Sequence, residues 1–446
     1  MFEPICAICT PYGSSAISII RCSGDGTIAL VNNVFKGKDL TKVEGNTIWY
    51  GHIYDKEEVI DEVMVSVFKN PKSFTGEDSI EINCHGGIYV TNRVLKTLMS
   101  NGFRMAEPGE FSKRAFLNGR IDLVQAESIM DMVSAKNKLA LGIANNGLSK
   151  NTSEMINTLR KEVLDILVDI EVNIDYPEYM DIPSIEYEKL ENRLNVIIDK
   201  IKNILKKSSG GKLIREGIKT VIVGKPNVGK SSLLNTLLDE EKAIVSDIEG
   251  TTRDYIEGYL NIGGITLNLI DTAGIRESKD EIEMIGVKRS LSKIDSADLV
   301  LVLLDNSKKL SDLDLEILDK TKDKKRIVIM NKIDLNKENE YEADIYMSIN
   351  DNLGLDKLED KILDILNLNE FNTTDCNYLS NVRHIDLLEK ANEALLDAIK
   401  AIHNELEIDM ISIDIKNALD NMGEIVGESN TELVIDRLFS RFCLGK

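Results

Sequence analysis

The spacing of apolar residues changes character along the chain. Between Ile17 and Phe111 they come in short β-rich runs, AISIIR, the stretch Thr47 to Tyr54, VMVSVF and SIEINC, broken by turn residues, which predicts an α+β domain. Beyond Asn118 the period lengthens. Ile156, Leu159, Val163, Ile166 and Ile170 follow at intervals of 3, 4, 3 and 4, the narrow seam of a helix that stops at Tyr176-Pro177. A second seam, Leu190, Leu194, Ile197, Ile201 and Ile204, predicts an antiparallel neighbour ending at a flexible junction, Ser208-Ser209-Gly210-Gly211. Thr220 to Val223 then opens an alternation of strands and helices, with further strands at Ile265 to Ile270, Leu299 to Leu304 and Arg326 to Met330. After about residue 370 helical spacing returns in Ile385, Leu388, Ala391, Leu395, Ala398 and Ile402. The α/β unit therefore reads as inserted between helices.

Composition narrows the class. A chain of 446 residues with 43% hydrophobic and 29% charged residues is globular and long enough for several domains. Its longest aliphatic run, Leu299 to Leu304, is too short to span a bilayer, and Met1-Phe2-Glu3-Pro4 does not open a signal peptide, so a cytoplasmic protein is expected. The net charge of −21 has the wrong sign for nonspecific binding to a polyanion, so any nucleic-acid contact must be local. Residues 1–117 are nearly neutral, with 12 basic and 14 acidic side chains, leaving almost all of the acidic excess to the rest. The cysteines at 6, 9, 22, 84, 376 and 443 make no disulfide framework, and Cys6-Ala7-Ile8-Cys9 reads as part of a buried strand.

The chemistry is concentrated in the α/β unit. Gly224-Lys225-Pro226-Asn227-Val228-Gly229-Lys230-Ser231 fits GxxxxGK[ST] and lies between an apolar strand and the helix-like SSLLNTLL. In such a loop glycines let backbone N–H groups converge on phosphates, Lys230 reaches the β and γ oxygens, and the Ser231 hydroxyl ligates Mg²⁺. Asn331-Lys332-Ile333-Asp334 follows a strand about 100 residues later. There the Asp334 carboxylate can accept from guanine N1–H and the 2-amino group, a donor pair adenine lacks, so GTP is expected rather than ATP. Asp271-Thr272-Ala273-Gly274 ends a strand, placing a carboxylate near Mg²⁺ and the Gly274 N–H near the γ-phosphate. In Gly250-Thr251-Thr252-Arg253-Asp254, Thr252 can complete the Mg²⁺ shell.

What activates the attacking water is left open by the residues themselves. Ile275 follows the Asp-Thr-Ala-Gly motif and cannot orient water, while Arg276-Glu277-Ser278-Lys279-Asp280-Glu281-Ile282-Glu283 offers several acids. The developing phosphate charge can be met by Arg253, by Arg276, or by a monovalent cation on the Asn227 carbonyl oxygen.

These motifs occur together with TPYGSSAISIIRCSG at 10–24, SFTGEDSIEINCHGG at 73–87, PGEFSKRAFLNGRIDLVQAE at 108–127 and a terminal Phe442-Cys443-Leu444-Gly445-Lys446. In this order and over its whole length the chain resembles the tRNA-modification GTPases of the MnmE/TrmE family. The resemblance implies a multidomain fold. An N-terminal α+β folate-binding-like and dimerisation domain spans 1–117, a discontinuous α-helical bundle domain 118–214 and 371–446, and an inserted α/β P-loop GTPase domain 215–370. It further implies that Arg21, Glu81, Arg120 and Lys446 bind a tetrahydrofolate carrying one carbon, of the 5,10-methylene or 5-formyl type; the family often has lysine at Arg120.

For the GTPase the resemblance implies K⁺ on Asn227, Ser246, Ile248 through its carbonyl, and Thr251, with Mg²⁺ on Ser231 and Thr252. Ser246 replaces a commoner threonine. Further GTP contacts fall to Val228, Gly229, Lys230, Ser232, Asp247, Glu249, Gly250, Thr272, Ala273, Lys332, Ser348 and Ile349, and the water-positioning acid maps to Glu283. In Met347-Ser348-Ile349-Asn350 a bulky Ile349 replaces alanine, and because backbone N–H groups make that contact a modest loss of nucleotide affinity is expected. Cys443 is either a nucleophile on the tail or a small side chain packed near the folate.

The implied function is a K⁺-dependent GTP hydrolase that installs an aminomethyl-type, carboxymethylaminomethyl, group at C5 of the wobble uridine of certain tRNAs. It would act as a homodimer with an FAD-containing partner of the MnmG/GidA type, in a heterotetramer or larger complex and away from membranes. No GxGxxG follows a strand here, so flavin chemistry needs the other subunit. The alternatives are a GTP-regulated binding switch, as in ribosome assembly, and a folate-dependent transferase acting alone. The first of these explains the nucleotide motifs but not the motifs at the two chain ends.

Overall fold

A computed structural model describes residues 2–175, 186–239, 258–262, 264–270, 293–351, 353–366, 378–428 and 432–445. They form two compact units, residues 1–130 with 423–446, and residues 131–422.

The first unit is built on a seven-stranded sheet of β1 (Ile5–Ile8), β2 (Ile17–Ser23), β3 (Phe35–Lys36), β4 (Thr47–Asp55), β5 (Glu58–Phe68), β6 (Ser79–His85) and β7 (Arg104–Met105), in the order β3-β4-β5-β6-β2-β1-β7. All neighbours are antiparallel except β1 and β7. Strand side chains alternate between faces. Ile20, Cys22, Ile80, Ile82, Val63, Val65 and Val67 pack on one face with Val31, Val94 and Leu98 of α1 (Thr27–Val34) and α2 (Ile88–Ser100). Each such fully buried aliphatic side chain contributes about 2 kcal/mol. Arg21 and Glu81 are thereby turned to the opposite face.

There Ile5, Ala7, Ala106 and Phe111 form a smaller core, Phe111 coming from α3 (Glu110–Leu117). Beside it Phe439 and Phe442, from the last helix Glu432–Phe439 and the tail, pack on Ala115, Leu123 and Ala126 of α3 and α4 (Leu123–Ser134). The last helix and tail, grouped by sequence with segment 371–446, thus belong to the same compact unit as the N-terminal sheet. Cys6 lies on β1 opposite Cys22, as the strand reading required, and burial pushes its thiol up to about 12.

In the second unit the two helical seams are buried as expected, on α6 (Asn151–Asp175) and α7 (Tyr187–Glu216), with α5 (Lys138–Leu148) before them and the helix Val382–His403 alongside α7. The expected flexible junction at Ser208-Ser209-Gly210-Gly211 is not there, because α7 runs through it to Glu216. The Ser208 hydroxyl donates to the Ile204 carbonyl (2.7 Å) and accepts the Leu379 N–H (2.8 Å). A Cβ on Gly211 would stand 2.9 Å from the Leu379 carbonyl oxygen, so the small residues serve close packing of segment 378–379 rather than a hinge.

The second sheet runs β13-β12-β11-β8-β10-β9, from β8 (Ile218–Val223), β9 (Gly258–Ile262), β10 (Ile265–Leu269), β11 (Leu299–Asp305), β12 (Arg326–Asn331) and β13 (Ile345–Tyr346). Its pairs are parallel except the β9–β10 hairpin. Both faces are covered: Leu299, Leu301 and Leu303 of β11 enter one core while Val300, Val302 and Leu304 enter the other. A parallel sheet buried on both sides is the α/β arrangement the run of apolar strands predicted. Among the described residues no helix is long and apolar enough to cross a membrane.

Candidate functional sites

The P-loop leaves the C-terminal end of central strand β8 and enters α8 (Lys230–Asp239), the place where α/β sheets present ligands. Asn227 (φ 64) and Gly229 (φ 103) take positive φ values, which curls the loop. The Lys230 ammonium donates to the Gly224 (3.0 Å) and Lys225 (2.8 Å) carbonyls, so it is held across the mouth of its own loop. Lys225 is drawn the other way, to the fully buried Asp314 carboxylate at 2.7 Å. Asp314 also closes a capping box with Ser311 on the helix Asp312–Lys320, so the loop is fastened to a helix start.

The guanine-reading loop is tied to the P-loop directly. Asn331 Nδ2 donates to the Val228 carbonyl (2.8 Å) and its Oδ1 accepts the Ile349 N–H (3.3 Å). Lys332, itself at φ 64, donates to the Asn227 carbonyl (2.7 Å) and pairs with Asp305 at 2.8 Å. Burial raises the Asp305 carboxyl, but the hydrogen bonds from Lys332 and Ser307 outweigh it and hold the group below its ordinary value. Ser348 donates to Asp334 Oδ1 (2.8 Å), orienting the carboxylate assigned to guanine. Together Asn227, Gly229, Lys230, Ser231, Ser232, Asn331, Lys332, Asp334, Ile349 and Asn350 line one cavity of about 230 Å³. Ile349 is buried and packs into the core beneath the loop while also forming part of the cavity wall.

Several assigned residues lie outside the described residues: Ser246, Asp247, Ile248, Glu249, Gly250, Thr251, Thr252, Asp271, Thr272, Ala273, Gly274, Glu283 and Lys446.

In the first unit Arg21 and Glu81 are register partners across β2 and β6. The Arg21 Nε donates to Glu81 Oε1 (3.0 Å), with Nη2 at 2.8 Å from the same oxygen. Its guanidinium lies 5.1 Å from the Phe74 ring centre and 5.7 Å from that of Phe111. Arg21 Nη1 also donates to the Gly445 carbonyl at 3.4 Å, so chain start and chain end meet here. Arg120 is exposed on the turn after α3 and shares no hydrogen bond or ion pair with Arg21 or Glu81 among the described residues. Cys443 is exposed, and its carbonyl accepts the Gly109 N–H (3.3 Å).

Sequence reasoning passed over Asp305, Asp314, Phe74 and Phe111. Asp305 had a signal, since it ends a wholly apolar strand at the carboxyl edge of the sheet. Phe111 sat inside a recognised motif without an assigned role, and nothing local marked Asp314.

Residues 123–443 match the family described as MnmE helical domain, and residues 4–120 the family described as GTP-binding protein TrmE N-terminus. The chain is similar to the tRNA modification GTPase MnmE of Acholeplasma laidlawii, 52% identical over 446 residues and 100% of both chains. It is 49% identical to the protein of that name from Lactococcus lactis subsp. cremoris over 449 residues, covering 100% of this chain and 99% of the relative. Among solved structures, the G domain of the T. maritima FeoB iron transporter is 26% identical with a TM-score of 0.23, covering 33% of this chain and 98% of that one.

Proposed function

Because the chain belongs to the tRNA-modification GTPases of the MnmE/TrmE family, we propose that it is a K⁺-dependent GTPase working with an FAD-carrying partner of the MnmG/GidA type. In this reading the pair installs a carboxymethylaminomethyl-type group at C5 of the tRNA wobble uridine, with the carbon supplied by a one-carbon tetrahydrofolate. The observation that supports the GTPase half most directly is the Asn331–Val228 hydrogen bond, 2.8 Å, which makes the base-reading loop and the phosphate loop one rigid cradle.

Lys230, held at the loop mouth, moves from the Gly224 and Lys225 carbonyls to the β and γ phosphate oxygens when nucleotide enters. Asn227 and Ser231 line the same cavity and offer neutral oxygens, the donor class that K⁺ and Mg²⁺ take. In the proposal Asn227, with Ser246, Ile248 and Thr251, would hold K⁺, and Ser231, with Thr252, would hold Mg²⁺. Bound there, the two cations supply positive charge against the charge that develops on the transferring phosphoryl group. Glu283 orients the attacking water. Asp334, steered by Ser348, accepts from the guanine edge.

For the folate, the Arg21–Glu81 pair, its guanidinium lying against the Phe74 ring, offers a donor–acceptor edge suited to a flat heterocycle. Arg120 and Lys446 complete the proposed ligand set. Homodimerisation is supported by the apolar outer face of β4–β5, where Ile48, Tyr50 and Met64 are 64%, 62% and 48% exposed. With a net charge of −21, this chain leaves the partner to supply much of the basic surface for tRNA.

Steady-state GTP hydrolysis by the purified chain, in matched K⁺ and Na⁺ buffers of equal ionic strength, tests the reading. A rate about tenfold or more higher in K⁺ is expected. Equal, slow rates in both salts would overturn it and favour a binding switch that needs an external activator.

A further inference from the structure

The Gly445 carbonyl accepts two hydrogen bonds. One comes from Arg21 Nη1 (3.4 Å), and the other from the thiol of Cys9, whose Sγ lies 3.1 Å from the oxygen. A carbonyl oxygen has two lone pairs, so both donors can be served at once. Cys9 is itself placed by the sheet: its backbone N–H donates to the Ile19 carbonyl (2.8 Å), continuing the β1–β2 ladder one residue past Ile8.

The seat for the tail is tight on the other side too. Gly445 adopts φ 87, and a Cβ there would stand 2.6 Å from the Ile8 carbonyl oxygen and 2.9 Å from the Cys9 Cα. Two residues earlier, the Cys443 carbonyl takes the Gly109 N–H, and Phe442 is buried beside Phe439. The tail is therefore fixed at Phe442, Cys443 and Gly445, and the last of these points is made by the end of β1.

We propose that Cys9 is a positioning residue, whose thiol shares with Arg21 the work of seating the C-terminal tail at the end of β1 beside the Arg21–Glu81 pair. The functional consequence rests on the folate reading given above; the seating itself does not. With the Gly445 carbonyl engaged, Arg21 is held between Glu81 and the tail, and its guanidinium stays over Phe74 and Phe111. Without the thiol, the Gly445 carbonyl keeps only its bond from Arg21, and Arg21 gains freedom to turn away from Glu81.

Two measurements on the full chain separate the parts. The first follows alkylation of Cys9 by iodoacetamide, resolved by peptide mass, in the wild type and in Gly445→Ala, which cannot fit the seat. Cys9 is expected to react about tenfold faster in the variant, as local opening of a protected group requires. Equal rates would overturn the seating. The second compares affinity for 5-formyltetrahydrofolate in the wild type, Cys9→Ala and Cys9→Ser. A loss of about three- to tenfold is expected in Cys9→Ala, the scale of one hydrogen bond, with recovery in Cys9→Ser because the hydroxyl can donate in place of the thiol. Equal loss in both variants would assign the effect to packing and overturn the positioning role. If the wild type bound no folate while Gly445→Ala still exposed Cys9, the folate reading would fall and the seating would stand.

Discussion

The nucleotide cavity, at the carboxyl end of one sheet, and the Arg21 site, on a face of the other, are both polar clusters, yet they are assembled differently. In the nucleotide cavity most of the shape comes from backbone conformation. Asn227, Gly229 and Lys332 all take positive φ, and the hydrogen bonds joining the two loops close over 103 and 105 residues. At the Arg21 site the shape comes from side chains, and the bonds to Gly445 close over 424 and 436 residues. Closing a longer loop costs only slightly more entropy, so distance itself is no obstacle. What differs is redundancy. The P-loop is held by β8, α8, Lys225–Asp314 and Asn331, whereas the tail residue Gly445 is held by two hydrogen bonds and a steric fit. The first site is a rigid receptor, and the second can open locally without disturbing the sheet beneath it.

The largest effect expected from a single change belongs to the proposed GTPase reaction. Glu283→Ala should lower GTP turnover about 100-fold or more while leaving the affinity for GTP nearly unchanged, since an acid that orients water acts in the transition state. Turnover and the affinity for a fluorescent GTP analogue, measured side by side, check this. Undiminished turnover would remove Glu283 from its assignment. Next comes Gly229→Ala, which breaks the cradle rather than the chemistry. Its φ of 103 disfavours any side chain, and the new Cβ would lie 2.4 Å from Asn331 Nδ2, the atom that ties the two loops. Strain of about 1–3 kcal/mol together with loss of that tie should weaken nucleotide binding about 100-fold. Cys9 alkylation in this variant should match the wild type. A change there would mean that the two sites are coupled and the contrast between them is false.

The same contrast explains what could be read from the sequence. The strands β2, β5, β6, β8, β11 and β12 were legible because their side chains are buried on one or both faces and so carry a period or an apolar run. The P-loop and Asn331-Lys332-Ile333-Asp334 were legible because unusual backbone conformation demands particular residues in short order. The Ser208–Gly211 stretch misled for a related reason. Small residues signal either flexibility or close approach, and only the packing of Tyr378 and Leu379 decides between them. The Arg21 site could not be assembled from local pattern at all. Arg21, Phe74, Glu81, Phe111 and Gly445 come from four separate stretches, Phe74 and Glu81 sharing one, and it was family resemblance that singled out Arg21 and Glu81, while the two phenylalanines and Cys9 needed the fold.

The smallest expected effect, a pH dependence, separates the units by the groups that titrate. Among the described residues lining the nucleotide cavity none is a histidine, and Asp305 is held below its ordinary value, so its contribution is lost only as pH falls through that depressed value. In the first unit His85 Nδ1 lies 2.7 Å from Asp61 Oδ1 at the end of β6. The hydrogen bond to Asp61, then its charge, raises the His85 pKa, with Glu62 adding to it and desolvation opposing. A raised value means that the folded state holds the proton more tightly than the unfolded chain. The stabilisation is therefore fully present below the ordinary histidine value of about 6.5 and fades as pH rises through the higher folded value. The imidazole is largely exposed, which keeps the effect small. The melting temperature of the wild type should exceed that of His85→Gln at pH 6 by about 1 °C, and the difference should shrink as pH rises, while GTP affinity stays flat over the same range. An advantage that grew with pH would reverse the sign assigned to the His85–Asp61 pair, and a GTP affinity that followed it would show that the nucleotide cavity senses the sheet of the first unit.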